Sequence, residues 1–302
     1  MTFEPTDEQI AVRDAARGKQ SLMIRAYAGT GKTTTLEFAG KEIKAPALAL
    51  AFNVSIKKEL ERRFAPNFTV KTLNGLGYGA LMRAMPGTTF QPPDGRKIGK
   101  LVSHVAKDEK IDLMSEAWDG VKSLVMLAMH NGLVPRDEGR PLIEDNEANW
   151  LAMMEREGIL PDDYSFFKNL AYKVLEASNR LTEQGIISFD DQVYYSVCVR
   201  GQFPKFPVMV VDEAQDLSPL NHAMLELSKR DDGRLIVVGD PKQAIYAFRG
   251  ADSQSMARLR RLKPESEWQD LALTLTFRCP KLVVDRQQSH APGFRAHASN
   301  AP

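Results

Sequence analysis

Leu22-Met23-Ile24-Arg25-Ala26-Tyr27-Ala28-Gly29-Thr30-Gly31-Lys32-Thr33-Thr34 joins three elements in a fixed order. The apolar run Leu22 to Ala26 has the character of a buried parallel strand. Gly29 and Gly31 then break it, and a helical pattern runs from Thr33 to Lys44. Strand, glycine turn and helix in this order make a phosphate-binding loop. Its glycines let backbone N–H groups turn inward around a phosphate, and the helix N-terminus adds partial positive charge. Ala28, Gly29, Thr30, Gly31 and Thr34 frame the anion. Lys32 reaches the β- and γ-phosphates, and the Thr33 hydroxyl ligates Mg²⁺. Ala26 stands where the general pattern has its first glycine.

The same grammar recurs along the chain. Ala47 to Phe52, Val208 to Val211, Leu235 to Val238 and Leu271 to Leu275 are further short apolar runs, and a helical pattern covers Ser55 to Phe64. This predicts an α/β fold, a doubly wound parallel sheet with helices on both faces and ligands at the strands' carboxyl ends. Leu81 to Thr182 reads differently. Lys100 to Lys107, Met114 to His130, Glu147 to Glu157 and Ser165 to Leu181 are helix-like, and breakers such as Pro92-Pro93-Asp94-Gly95 separate them. Residues 81–182 are therefore expected to be an all-α insertion domain within an α/β domain of 1–80 and 183–302. After Val284 the chain turns polar and irregular, which predicts either a frayed tail or a chain that stops partway through a larger architecture.

A second motif completes the first. Val208 to Val211 leads into Asp212-Glu213-Ala214-Gln215-Asp216. Adjacent carboxylates at the end of a buried strand are costly to desolvate and need a task that offsets the cost. Asp212 can hold Mg²⁺ opposite Thr33, and Glu213 can position and deprotonate an attacking water.

Composition sets the bounds. The 302 residues are 43% hydrophobic and 26% charged, ordinary for a soluble globular protein with a sizeable core. Forty basic and 39 acidic residues give a net charge of +1. That balance alone points to no nucleic-acid partner, but a groove can be basic while outer faces are acidic. Cys198 and Cys279 read as two reduced thiols. The histidines are scattered, without zinc spacing. Met1 to Gln9 has no signal-peptide h-region, and no apolar run reaches membrane-spanning length. A cytoplasmic, soluble protein with no membrane partner is expected.

From Asp212-Glu213-Ala214-Gln215-Asp216 outward, the chain resembles UvrD/Rep-type superfamily 1 DNA helicases. The resemblance covers about Thr6 to Pro280. Pro5-Thr6-Asp7-Glu8-Gln9 looks like the Q motif, which implies that Gln9 bonds adenine. Ala26 to Thr33 is similar to the family's variant loop, which itself begins with alanine. Ala51-Phe52-Asn53 and Thr72-Leu73-Asn74-Gly75 resemble two DNA-contacting motifs, implying roles for Phe52, Asn53, Thr72 and Asn74. The family often has histidine where Asn74 stands. Ile187-Ser188-Phe189-Asp190-Asp191 resembles the return from the insertion to the core, with Ser188 a departure. Val238-Gly239-Asp240-Pro241-Lys242-Gln243-Ala244-Ile245-Tyr246-Ala247-Phe248-Arg249-Gly250-Ala251 is the most specific match. It implies that Gln243 senses the γ-phosphate and that Tyr246, Phe248 and Arg249 lie along single-stranded DNA, where aromatic faces stack on any base. The family usually has tryptophan at Phe248. Thr276-Phe277-Arg278-Cys279-Pro280 resembles the Tyr-Arg motif, implying that Phe277 stacks on adenine and Arg278 binds the γ-phosphate.

The resemblance implies a P-loop NTPase of RecA-like fold, the N-terminal motor domain of an ATP-dependent, Mg²⁺-requiring helicase with 3′-to-5′ polarity. Its catalytic residues are Lys32, Glu213, Gln243 and Arg278. Nothing in the chain matches the family's second motor domain, so the expectation is an incomplete motor that binds Mg-ATP but does not unwind duplex unaided. It would need a second motor domain or a partner protein. A rival reading is a short ATP- or DNA-binding module without turnover that acts through a partner. A nucleotide kinase fits poorly, since it has no use for Tyr246-Ala247-Phe248-Arg249.

Overall fold

The computed structural model describes residues 4–240, 242–243 and 254–301. Tyr246, Phe248 and Arg249 lie outside the described residues. In chain order the elements begin with α1 (Asp7–Ala16), β1 (Ser21–Ala26), α2 (Lys32–Gly40), β2 (Ala47–Ala51), α3 (Val54–Arg63) and β3 (Phe68–Thr72). Six helices follow: α4 (Leu73–Ala84), α5 (Lys97–Asp108), α6 (Ser115–His130), α7 (Glu147–Arg156), α8 (Tyr164–Glu183) and α9 (Phe189–Tyr194). Then come β4 (Phe206–Val211), α10 (Pro219–Ser228), β5 (Lys229–Gly239), α11 (Ser255–Arg260), β6 (Trp268–Leu273), β7 (Leu275–Thr276), α12 (Lys281–Gln287) and β8 (Arg295–Ala296).

Packing divides the chain into two compact units. One comprises Met1–Leu73, Lys205–Leu217 and Ser228–Pro302, the other Asn74–Pro204 and Ser218–Leu227. The insertion bounds expected at residues 81 and 182 fall inside α4 and α8.

The first unit carries a six-stranded sheet in the order β3-β2-β4-β5-β1-β6, and every neighbouring pair is parallel. Leu22, Ile24, Ala47, Ala49, Val208, Val210, Ile236 and Val238 pack with Val12, Leu36, Ala39 and Leu60 of α1, α2 and α3. The intervening Met23, Leu48, Leu50, Met209, Val211, Leu235 and Val237 are buried as well. Side chains alternate across a strand, so both faces of the sheet are covered, as the α/β reading expected.

The strand expected at Leu271 to Leu275 instead runs Trp268–Leu273, and Leu275–Thr276 lies in a separate two-stranded sheet. Three further elements differ from the expectation. Phe68–Thr72 forms a sheet-edge strand whose burial alternates, so it offers no continuous apolar run. Leu73–Ala84 is a helix despite three glycines, each costing about 1 kcal/mol relative to alanine in a helix interior. A close approach explains Gly77, because a Cβ there would lie 2.0 Å from the Gln192 carbonyl oxygen of α9. The third difference is the tail, which is not frayed. α12 extends past Val284 to Gln287, and β8 then pairs in parallel with β7. Val284, Ala291 and Phe294 form a small apolar cluster with Tyr27 beside it.

The second unit is helical. Leu101 and Val102 of α5, Leu124 and Val125 of α6, and Leu170 and Val174 of α8 are buried. At its centre the Lys97 ammonium donates to Asp191 Oδ2, Thr182 Oγ1 and the Ser178 carbonyl, each at 2.8 Å. Cys198 is buried and Cys279 half-buried, and both are free thiols. Among the described residues, no helix is long and apolar enough to cross a membrane.

Candidate active site

The site is assembled at the carboxyl ends of β1, β4 and β5 in the first unit. After β1 the chain turns through Gly29 at φ 72° and Gly31 at φ 80°. Gly29 is required twice over. Its backbone lies in the left-handed region, and a Cβ would lie 2.5 Å from Arg278 Cβ and 2.6 Å from Thr276 Oγ1. The Gly29 carbonyl also accepts from the Phe277 N–H at 2.9 Å, tying the loop to the segment after β7. Gly29→Ala is therefore expected to cost about 2 kcal/mol or more, from left-handed strain plus the clash. A thermal-shift series with and without nucleotide checks this, and an unchanged midpoint with unchanged nucleotide affinity would contradict it.

Lys32 opens α2, and its ammonium lies 3.0 Å from Glu213 Oε2. The Thr33 hydroxyl donates to Asp212 Oδ2 at 3.0 Å. Asp212 is buried, and its Oδ1 accepts from the Glu213 N–H at 2.9 Å. Burial first, then the neighbouring Glu213 charge, pushes the Asp212 carboxyl up to about 6. Glu213 itself sits at φ 49°, ψ 44°, a left-handed conformation rare for a residue with a side chain. This turn comes two residues after β4 ends at Val211.

Gln215 links this turn to the next strand. Its Nε2 donates to Glu213 Oε2 at 2.9 Å, and its Oε1 accepts from the Asp240 N–H at 3.0 Å. Asp240 Oδ2 in turn accepts from Gln243 Nε2. One chain of contacts thus runs from Glu213 through Gln215 and Asp240 to Gln243. Asp216 is buried and, chiefly by burial, pushed up to about 6; its Oδ1 has no hydrogen-bond partner among the described residues.

Gly29, Thr30, Gly31, Lys32, Thr33 and Thr34 line a hollow of about 290 Å³, and Glu213, Gln243 and Arg278 close it. Glu59 and Arg63 also line it. Arg63 pairs with Glu59 and Glu37. Ala28 precedes the lining residues, and its carbonyl lies 3.9 Å from Cys279 Sγ.

The remaining nucleotide residues lie close by. Gln9 is buried under Gly31, with its amide already engaged at both ends. Oε1 accepts from the Thr6 N–H at 3.0 Å, and Nε2 donates to Thr35 Oγ1 at 3.2 Å. Phe277 is 45% exposed, and the His297 ring centroid lies 4.9 Å from its own.

Of the expected DNA residues, Phe52 and Asn53 follow β2 and Thr72 ends β3. The exposed Asn53 caps α3 by accepting from the Ile56 N–H at 2.9 Å. In the second unit, Asn74 Nδ2 donates to the Phe189 carbonyl at 2.7 Å. The Phe189 ring is 56% exposed, an aromatic that the chain's polar Ser188 to Asp191 setting could have flagged.

The UvrD/REP helicase N-terminal domain matches residues 6–264. The chain belongs to that family. The chain is 32% identical over 296 residues to the ATP-dependent DNA helicase UvrD1 of Mycobacterium tuberculosis, covering 87% of this chain and 36% of that protein. It is 25% identical over 297 residues to F-box DNA helicase protein 1 of Schizosaccharomyces pombe, covering 90% of this chain and 31% of that protein. A shorter stretch of 85 residues is 34% identical to the RecBCD enzyme subunit RecB of Mycolicibacterium smegmatis, or 28% of this chain and 8% of that subunit. The chain thus spans about a third of the length of the first two relatives.

Proposed function

We propose that this UvrD/REP-family chain is the ATP-binding motor domain of a DNA helicase or translocase. The convergence of Lys32, Thr33, Asp212 and Glu213 on one hollow carries the reading. The first unit serves as the RecA-like motor core and the helical unit as its insertion. The donor set fits magnesium: one hydroxyl and one buried carboxylate, 3.0 Å apart, are the hard oxygens this ion takes alongside phosphate and water. Thr33 and Asp212 would hold it, and the ion would neutralise charge on the phosphates.

The chain's own groups do the rest. Backbone N–H groups of the loop cradle the triphosphate, and Lys32 exchanges its Glu213 partner for phosphate oxygens. Glu213, released from the ammonium, orients water and takes its proton. Gln243 and Arg278 face the terminal phosphate, and Arg278 stabilises charge developing there. Gln9 reaches an adenine edge only by giving up its bond to Thr35, while Phe277 offers a stacking face. Phe52, Asn53, Thr72, Asn74, Tyr246, Phe248 and Arg249 are assigned to single-stranded DNA. Movement in the 3′-to-5′ direction, with a second motor domain or partner protein, is the reading that the family resemblance supports. ATP hydrolysis with and without single-stranded DNA tests this; a chain that neither binds nor turns over ATP contradicts it.

A pH dependence follows. The raised Asp212 pKa means that the folded chain keeps a proton that an unfolded carboxyl has lost, between the ordinary value of 3.8 and about 6. Without metal, stability therefore falls as pH rises through that window. Magnesium requires the carboxylate, so Mg-nucleotide affinity is expected to fall roughly tenfold per unit as pH drops below about 6. Asp216 titrates in the same range, so the acid limb belongs to the cluster. Titration calorimetry at a series of pH values checks this, and an affinity flat from pH 7.5 to 5 contradicts it.

A further inference from the structure

The segment 288–301 lies beyond the residues that resemble known motifs, yet several of its hydrogen bonds reach Glu8, Tyr27 and the residues beside Phe277 and Arg278. Arg295 reaches Glu8 Oε1 at 2.7 Å, and Glu8 accepts from the Thr274 N–H at 2.7 Å. Asn300 Nδ2 donates to the carbonyls of Thr276 at 2.8 Å and Cys279 at 2.9 Å, the residues flanking Phe277 and Arg278. The His297 N–H donates to the Thr276 carbonyl at 2.9 Å. Tyr27, in the phosphate loop, meets Phe294 edge-on at 5.2 Å and donates to the Pro292 carbonyl at 3.2 Å.

We infer that this returning segment builds the nucleobase side of the site, with His297 as a positioning residue that backs the Phe277 ring. The rings lie 4.9 Å apart at 35°. Two rings that sandwich a base need centroids about 7 Å apart, so no base enters between them. The imidazole covers one face of Phe277 and leaves the other for a base. His297 is itself held, because its Nδ1 accepts from the Ser299 N–H at 3.3 Å and lies 2.7 Å from Ser299 Oγ. An accepting Nδ1 places the proton of the neutral ring on Nε2. His297 thus limits the swing of an otherwise exposed phenyl ring and presents it ready to stack.

The inference rests on the nucleotide reading above, and the test separates the two. ATP and inorganic tripolyphosphate are titrated against the full chain and against His297→Ala and His297→Phe. Tripolyphosphate carries no base, so it reports the phosphate loop and the integrity of the fold. The expected result is ATP binding about five-fold weaker in His297→Ala, unchanged tripolyphosphate binding, and recovery of ATP affinity in His297→Phe. Unchanged ATP binding in His297→Ala, an equal loss for both ligands, or no recovery in His297→Phe overturns the inference and leaves the phosphate site standing. A wild-type chain that binds neither ligand overturns both.

Discussion

Glu213→Gln is expected to lower the rate of phosphate release about 1,000-fold, the scale of a lost general base, while nucleotide affinity stays level or rises. The asymmetry comes from the 3.0 Å contact between Lys32 and Glu213. In the nucleotide-free site the glutamate competes with phosphate for the ammonium. A neutral amide competes less, so the triphosphate meets a freer lysine. The amide also keeps an oxygen able to accept from Gln215 Nε2, which now contacts Glu213 at 2.9 Å. Lys32→Ala makes the opposite case, losing binding and turnover together. Phosphate release and fluorescent-nucleotide binding measured on one preparation decide the matter. Glu213→Gln losing both together would mean that the glutamate shapes the loop rather than the water.

The largest stability effect is expected in the helical unit. Lys97 is 2% exposed and Asp191 fully buried, 2.8 Å apart. Lys97→Met leaves Asp191 without its cation and is expected to cost about 3–5 kcal/mol, the usual penalty for orphaning a buried charge. Asp191 has a second duty, accepting from the Ser188 N–H at 2.6 Å and the Ser188 hydroxyl at 2.8 Å at the start of α9. Lys97→Met with Asp191→Leu should therefore recover only part of the loss, because the aspartate's half of the capping box goes with it, each such hydrogen bond being worth about 1 kcal/mol, while the Ser188 hydroxyl still accepts from the backbone N–H of residue 191. Burial lowers the Lys97 pKa, with Asp191 opposing the shift. Urea unfolding of the three proteins reads the outcome. A single variant within about 1 kcal/mol of wild type would contradict the expectation.

The parts of this protein legible in the sequence are those where chemistry and local geometry share a few consecutive residues. Gly29 to Thr34 carries its turn, its cation and its helix start together. Asp212 and Glu213 carry two carboxylates and the strand that buries them. The α/β layering was legible for the same reason, since buried parallel strands are short continuous apolar runs. Elements whose character depends on distant neighbours were not. Gly77 marks a helix only because Gln192 passes against it. Phe68–Thr72 is half-exposed at the sheet edge and has no apolar run to show. Gln9 was readable as a polar contact, but its partner Thr35 was not. Gln215 stood in plain view within its motif, yet only the fold shows that its other end meets Asp240. The polar composition after Val284 concealed a segment held by specific hydrogen bonds rather than by apolar bulk.

The strand order has a consequence for how the chain is born. β1 leaves the ribosome early, but its two neighbours, β5 and β6, begin at Lys229 and Trp268. The phosphate loop likewise waits for Thr276, Phe277 and Arg278 to close over Gly29. During synthesis the apolar β1 has no edge to join while the whole helical unit emerges and can fold as a unit of its own. Such pairing across long stretches of sequence is slow and leaves strand edges open to aggregation. The catalytic hollow therefore cannot close until Arg278 has been made, and a nascent chain stalled before Trp268 should be insoluble or chaperone-bound rather than a weak nucleotide binder.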